Sequence, residues 1–107
     1  MEHKKPKFTA RELFDAKKAK IRANRANFRM RMLAATDEAK ALYRRCLRAI
    51  RRRHGKKWTS IRVFAASFDV AFEAMTLLTH PQNGFLADAL QDSYGLGAKF
   101  FVKIYQV

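Results

Sequence analysis

Apolar residues in this chain recur mainly at intervals of three and four. Between Thr36 and Gly55 they fall at Ala39, Leu42, Tyr43, Cys46, Leu47 and Ile50, the spacing of one buried helical face. Arg44, Arg45, Arg48, Arg51 and Arg52 take the opposite side. Thr36 is suited to cap this helix, Asp37 and Glu38 to favour its N-terminal dipole, and Gly55 to stop it, with Arg52, Arg53 and His54 on the negative end. The same interval predicts a helix from about Thr59 to Leu78 through Ile61, Phe64, Ala65, Phe68, Phe72 and Met75, closed by His80-Pro81 and a Pro81–Gly84 turn. A further helix over about 85–105 follows from Phe85, Leu86, Ala89, Leu90, Ser93, Gly97, Phe100, Phe101 and Ile104. Gly95 and Gly97 weaken it by about 1 kcal/mol each, and inside a periodic helix such glycines often mark close approach of another element or a ligand. Strand competes for 99–107, which is aromatic and β-branched.

Upstream, Thr9 with Glu12 three residues later reads as a capping box opening a helix to about Leu33. Its apolar stripe, Phe14, Ile21, Phe28 and Met32, is narrow. Such a helix should lie along a larger surface. Residues 1–8 read as a flexible basic arm. The Arg-rich N-terminal segment is compatible with a mitochondrial presequence, although Glu2, Glu12 and Asp15 depart from the acid-poor rule; an uncleaved targeting helix fits as well.

At 107 residues the chain suffices for one domain and one modest core, and with nine Phe it is not compositionally disordered. No apolar run is long enough to span a bilayer. The single Cys46 excludes an intramolecular disulfide and a Cys-rich metal site, and its place on an apolar face reads as a buried, inert thiol. The net charge of +14 is unevenly spread. Residues 1–62 carry 21 Lys and Arg against 5 acids, whereas residues 63–107 carry 2 Lys against 4 acids. The first half is therefore a polycation that attracts nucleic acid, anionic lipid or an acidic protein.

Leu42-Tyr43-Arg44, early in the basic helix, and Phe72 thirty residues on resemble the LYR family of small mitochondrial adaptor proteins. The resemblance covers about residues 37–105. It implies an all-α fold: a three-helix antiparallel LYR bundle over 36–107, preceded by a basic N-terminal arm and helix over 1–35. Gly95 or Gly97 matches the Gly near the middle of the family's third helix.

The resemblance further implies a non-catalytic accessory subunit that binds mitochondrial acyl carrier protein on the matrix side of the inner membrane. Such a subunit docks its partner on a larger assembly, foremost respiratory complex I. Leu42, Tyr43, Arg44, Arg48, Arg51 and Lys99 are the candidate carrier-protein contacts. Leu47, Ile50, Phe64, Phe68, Phe72, Met75, Leu90 and Phe100 are the candidate lining of a tunnel for the acyl-4′-phosphopantetheine that the partner carries. No cofactor of the chain's own is implied. Without the resemblance, those apolar residues read as plain core.

The competing reading is a nucleic-acid-binding module, including a mitoribosome-associated or assembly-factor LYR protein that contacts RNA through the basic half. An enzyme is disfavoured by the lack of a nucleophile–base pair, a Gly-rich phosphate loop or metal-ligand spacing. His3, His54 and His80 are scattered, Asp69 and Glu73 read as a surface pair facing a cation, and Trp58 reads as a helix-entry staple.

Overall fold

A computed structural model describes residues 9–93 and 97–106. The elements run α1 (Ala10–Ala34), α2 (Asp37–Arg52), β1 (Ser60–Ala65), α3 (Phe68–Leu78), β2 (Leu86–Asp92) and β3 (Lys99–Tyr105). The three strands form one antiparallel sheet in the order β1-β3-β2. The parallel strands β1 and β2, joined through α3 and separated by β3, make a split β-α-β unit. The fold is thus mixed α/β, and the all-α three-helix bundle is overturned along with its description as a helical bundle.

The first two helices form as their sequence dictates. The Thr9 hydroxyl accepts the Glu12 N–H while the Glu12 carboxylate accepts the Thr9 N–H, a complete capping box. Thr36 caps α2 by accepting the Ala39 N–H at 3.2 Å. That cap has no acid at its own third position, and the missing carboxylate comes from α3. Glu73 accepts the Thr36 backbone N–H at 2.8 Å and its hydroxyl at 3.2 Å. The expected cation partner for Glu73 is therefore replaced by a helix cap. Gly55 has φ +75° just past α2, which confirms the stop there.

The second half departs from the expected helices. Ser60–Ala65 is a strand because Ile61, Val63 and Ala65 alternate inward and pair with Ile104, Val102 and Phe100. A helix begins only after Ser67, whose hydroxyl caps it by accepting the Val70 N–H. The helix expected over 85–105 is two strands, and strand is the correct alternative for 99–105. Leu86–Asp92 is rich in helix formers, yet Ala87 and Ala89 turn inward beneath α3, where small side chains fit. Gly84, at φ +71°, makes the turn that delivers this strand. Gly97 lies in the connection between β2 and β3, where a Cβ would meet nothing within 4 Å, so it marks no close approach. Gly95 and the arm over 1–8 lie outside the described residues. Trp58 sits before β1, half-buried against the core, with its N–H bonded to the Gln106 side chain.

The core lies between one sheet face and the two helices α2 and α3. Leu42, Cys46, Ala71, Ala74, Leu77, Leu78, Val102 and Ile104 are its fully enclosed members. α1 contributes no buried residue. Only its last turns reach the core, through Phe28 and Met32, and Phe28 packs on Tyr43 and His80 at 5.9 and 5.3 Å between ring centroids. The radius of gyration is 18.5 Å, against about 13 Å for a compact chain of this length, because most of α1 projects from the domain. Among the described residues no helix is long and apolar enough to cross a membrane.

Candidate nucleic-acid interface

The basic half of the sequence becomes two exposed helical faces. From Ala39 through Phe68 the chain has no acid and ten Lys and Arg. The apolar face of α2 is pinned to the core by Leu42, Tyr43 and Cys46, so its cations must point outward. Arg44, Arg45, Arg48, Arg51 and Arg52 are all exposed. Arg45 also donates through its guanidinium to the Phe64 carbonyl at 2.9 Å. That bond satisfies an acceptor on edge strand β1 and fixes the distance between α2 and the sheet. Beside it, Arg45, Arg48, Ala49, Arg52 and Val63 line a groove of about 270 Å³. Three guanidiniums along one groove suit phosphate or carboxylate oxygens, which they can meet with paired N–H donors.

The second face is on α1. Arg11, Lys18, Arg22, Arg25 and Arg29 recur at steps of 7, 4, 3 and 4 and share one side of the helix. All five are exposed, and the row runs roughly 27 Å at the rise of an α-helix. Asp15 is the acid that interrupts it, since Glu12 is engaged in the cap. Near the root of α1, Arg25, Phe28, Arg29, Met32 and Gln82 line a second groove of about 320 Å³.

The residues expected at a carrier-protein contact divide sharply. Arg44, Arg48, Arg51 and Lys99 are exposed, and Lys99 opens β3 beside the end of β1 whose Phe64 carbonyl accepts from Arg45 of α2. Leu42 and Tyr43 are 0% and 5% exposed and cannot meet a partner. The Tyr43 hydroxyl instead accepts from the Asn83 side chain at 2.9 Å. Burial raises its pKa, opposed by that hydrogen bond and by Arg51. Cys46 is fully enclosed, and burial pushes its thiol up to about 12 despite the nearby Arg45. The thiol is buried as expected.

The expected tunnel residues are spread over α2, α3 and both faces of the sheet. Leu47 and Ile50 flank the core on α2. Phe68 and Phe72 stack on each other at 6.3 Å on the outside of α3, 41% and 50% exposed, with Met75 half-buried further along the same helix. Phe64 and Leu90 stand on the sheet face away from the helices, whereas Phe100 is on the opposite face. Two of the set, Phe64 and Phe100, share a cleft of about 360 Å³ with Ala65, Ala66, Ala98 and Lys99 at the end of the sheet.

Sequence reasoning missed the α1 cation row, although its spacing was readable, and missed the Arg45 bond to β1, which depends on a strand that was read as helix. Among the described residues no cluster of His, Cys, Asp or Glu is placed to hold a metal ion. The chain matches no protein-family model, no curated protein and no solved structure.

Proposed function

We propose that this chain is a nucleic-acid-binding module that grips the phosphate backbone with α1 and α2. The observation that carries this reading is the pair of exposed, nearly acid-free cationic faces on consecutive helices. A row of cations along a projecting rod matches a linear array of phosphates, and an α-helix is of a size to enter the major groove of a DNA duplex. Contacts of this kind give affinity and register without sequence choice, so the module would supply positioning more than base discrimination.

The acyl-carrier-protein reading draws support from Arg44, Arg48 and Arg51, which present an exposed basic row to any acidic surface. It has lost the bundle through which an acyl chain was to enter. Complex I membership and a matrix address are what the LYR resemblance implies, and the Arg-rich N-terminal segment is compatible with mitochondrial import independently of it.

The test is a salt titration with a DNA or RNA duplex. Each phosphate contact contributes about −0.9 to the slope of log K against log salt for B-DNA. The triple variant Arg44→Gln, Arg48→Gln, Arg51→Gln should keep its fold and lower the slope by two to three units, about one per cation. A slope near zero for the unaltered chain would sink the proposal. So would capture of acyl carrier protein that Arg44→Glu abolishes, if polynucleotide affinity is negligible beside it.

A further inference from the structure

The sheet has a second face that no described element covers. Its register sets three cross-strand rows there: Ser60–Tyr105–Leu86, Arg62–Lys103–Asp88 and Phe64–Phe101–Leu90. Lys99 and Asp92 pair at the far end. Along β1 and β3 the rows therefore alternate aromatic, cationic, aromatic, at steps of roughly 6.6 Å. Phe64 is 56% exposed and packs edge-on against Phe101 at 6.0 Å. The Arg62 guanidinium lies over the Phe101 ring and the Lys103 ammonium over the Tyr105 ring, each at 5.3 Å from the centroid. The Tyr105 hydroxyl donates to Asp88 at 3.0 Å, which restrains its ring on this face. Both acids of this face, Asp88 and Asp92, stand on β2, so β1 and β3 form its cationic side.

We infer that the β1–β3 half of this face is a stacking platform for single-stranded nucleic acid. Bases would lie on Phe64 and Tyr105, and phosphates would meet Arg62, Lys99 and Lys103. This deepens the proposed function and rests on it. Charge selects the occupant. A second copy carries the same +14 and is repelled. An apolar protein surface would bury Arg62, Lys99 and Lys103 against only Asp88 and Asp92, leaving a cation without a counter-ion. A single strand offers π-faces and phosphates in alternation, which is what the rows present. The acids on β2 confine the strand to the β1–β3 side.

Fluorescence anisotropy with a labelled oligouridylate and with a duplex of equal length separates the two proposals. Phe64→Leu keeps an apolar side chain at an exposed site and removes the ring. It should weaken oligouridylate binding about tenfold with the salt slope unchanged, and leave duplex binding as it was. Lys103→Gln should instead reduce the single-strand slope by about 0.7. If Phe64→Leu binds oligouridylate like the unaltered chain while duplex binding stays salt-dependent, the platform is refuted and the helical interface stands. Absence of binding to either polymer overturns both.

Discussion

The carboxylate of Glu73 completes a capping box whose two halves lie 37 residues apart, and removing it should have a measurable cost. In α1 the box is local, Thr9 with Glu12. In α2 the third helical position is Ala39, so the hydroxyl of Thr36 receives the Ala39 N–H without a local acid to hold the Thr36 N–H. Glu73 fills that role from α3 and also accepts the Thr36 hydroxyl proton, which orients the oxygen toward Ala39. A cap of this kind is worth about 1 kcal/mol. A hydrogen bond to a charged acceptor is worth about 1.5 kcal/mol at the weak end, appropriate for a site that water reaches. The two overlap, so Glu73→Ala should cost about 2 kcal/mol, and Glu73→Gln, which keeps one acceptor, about 1 kcal/mol. For a chain of this size that is roughly 8 °C and 4 °C in Tm. Urea unfolding followed by far-UV circular dichroism reads both. Thr36→Ala closes the cycle. It removes the hydroxyl but leaves its backbone N–H to Glu73, so the coupling between the two sites should be about 0.5–1 kcal/mol. Strict additivity, or a loss below about 0.5 kcal/mol for Glu73→Ala, would refute the relay through the hydroxyl.

Two further outcomes follow from α2. The Cys46 thiol, near 9 when unfolded and about 12 when folded, stays protonated in the native state at pH values where the unfolded chain has lost its proton. Its contribution to stability is therefore intact below about pH 9 and declines as pH rises toward 12; Cys46→Ala should flatten the alkaline limb of a stability–pH curve, and an unchanged limb would exclude Cys46 as its source. Leu42→Ala should cost about 3 kcal/mol in urea unfolding through the cavity it leaves, whereas Arg44→Ala should stay within about 0.5 kcal/mol; comparable losses at the two sites would contradict the division between buried and basic faces.

The first half of the fold was legible because its signals are local. Thr9, Glu12, Thr36 and Gly55 act within a few residues, and the α2 apolar series admits only one period. The second half was not, because the same residues satisfy two periods. Ile61, Phe64, Ala65 and Phe68 make a helical face, while Ile61, Val63 and Ala65 make a strand face. What decides between them is Phe100, Val102 and Ile104, some forty residues away, which supply the partner strand. Ser67 was the overlooked local clue, since a capping residue there starts a helix eight residues later than the helical reading allowed. The three-helix bundle implied by the LYR resemblance failed for a related reason. The tripeptide's residues do divide into buried and basic faces as read, but a helix with one apolar face packs equally well on a sheet as on other helices.

The charge partition then acquires a structural cause. The near-neutral half supplies the sheet and the apolar helix α3, so it builds the core; α2 straddles the boundary; α1 is left with almost nothing to bury. Residues 10–27 of α1 keep their helix through the capping box and the propensity of Ala, Lys and Arg, against repulsion between like charges four apart such as Lys18–Arg22 and Arg25–Arg29. A helix whose interior contacts are missing and whose side chains repel one another gains most from a ligand that neutralises the row. Phosphates laid along Arg11 to Arg29 would remove that repulsion and add contacts only the helical spacing can align. Binding and helix formation in α1 are thereby linked, each favouring the other, and the weakest element of the fold becomes the one most strengthened by the proposed partner.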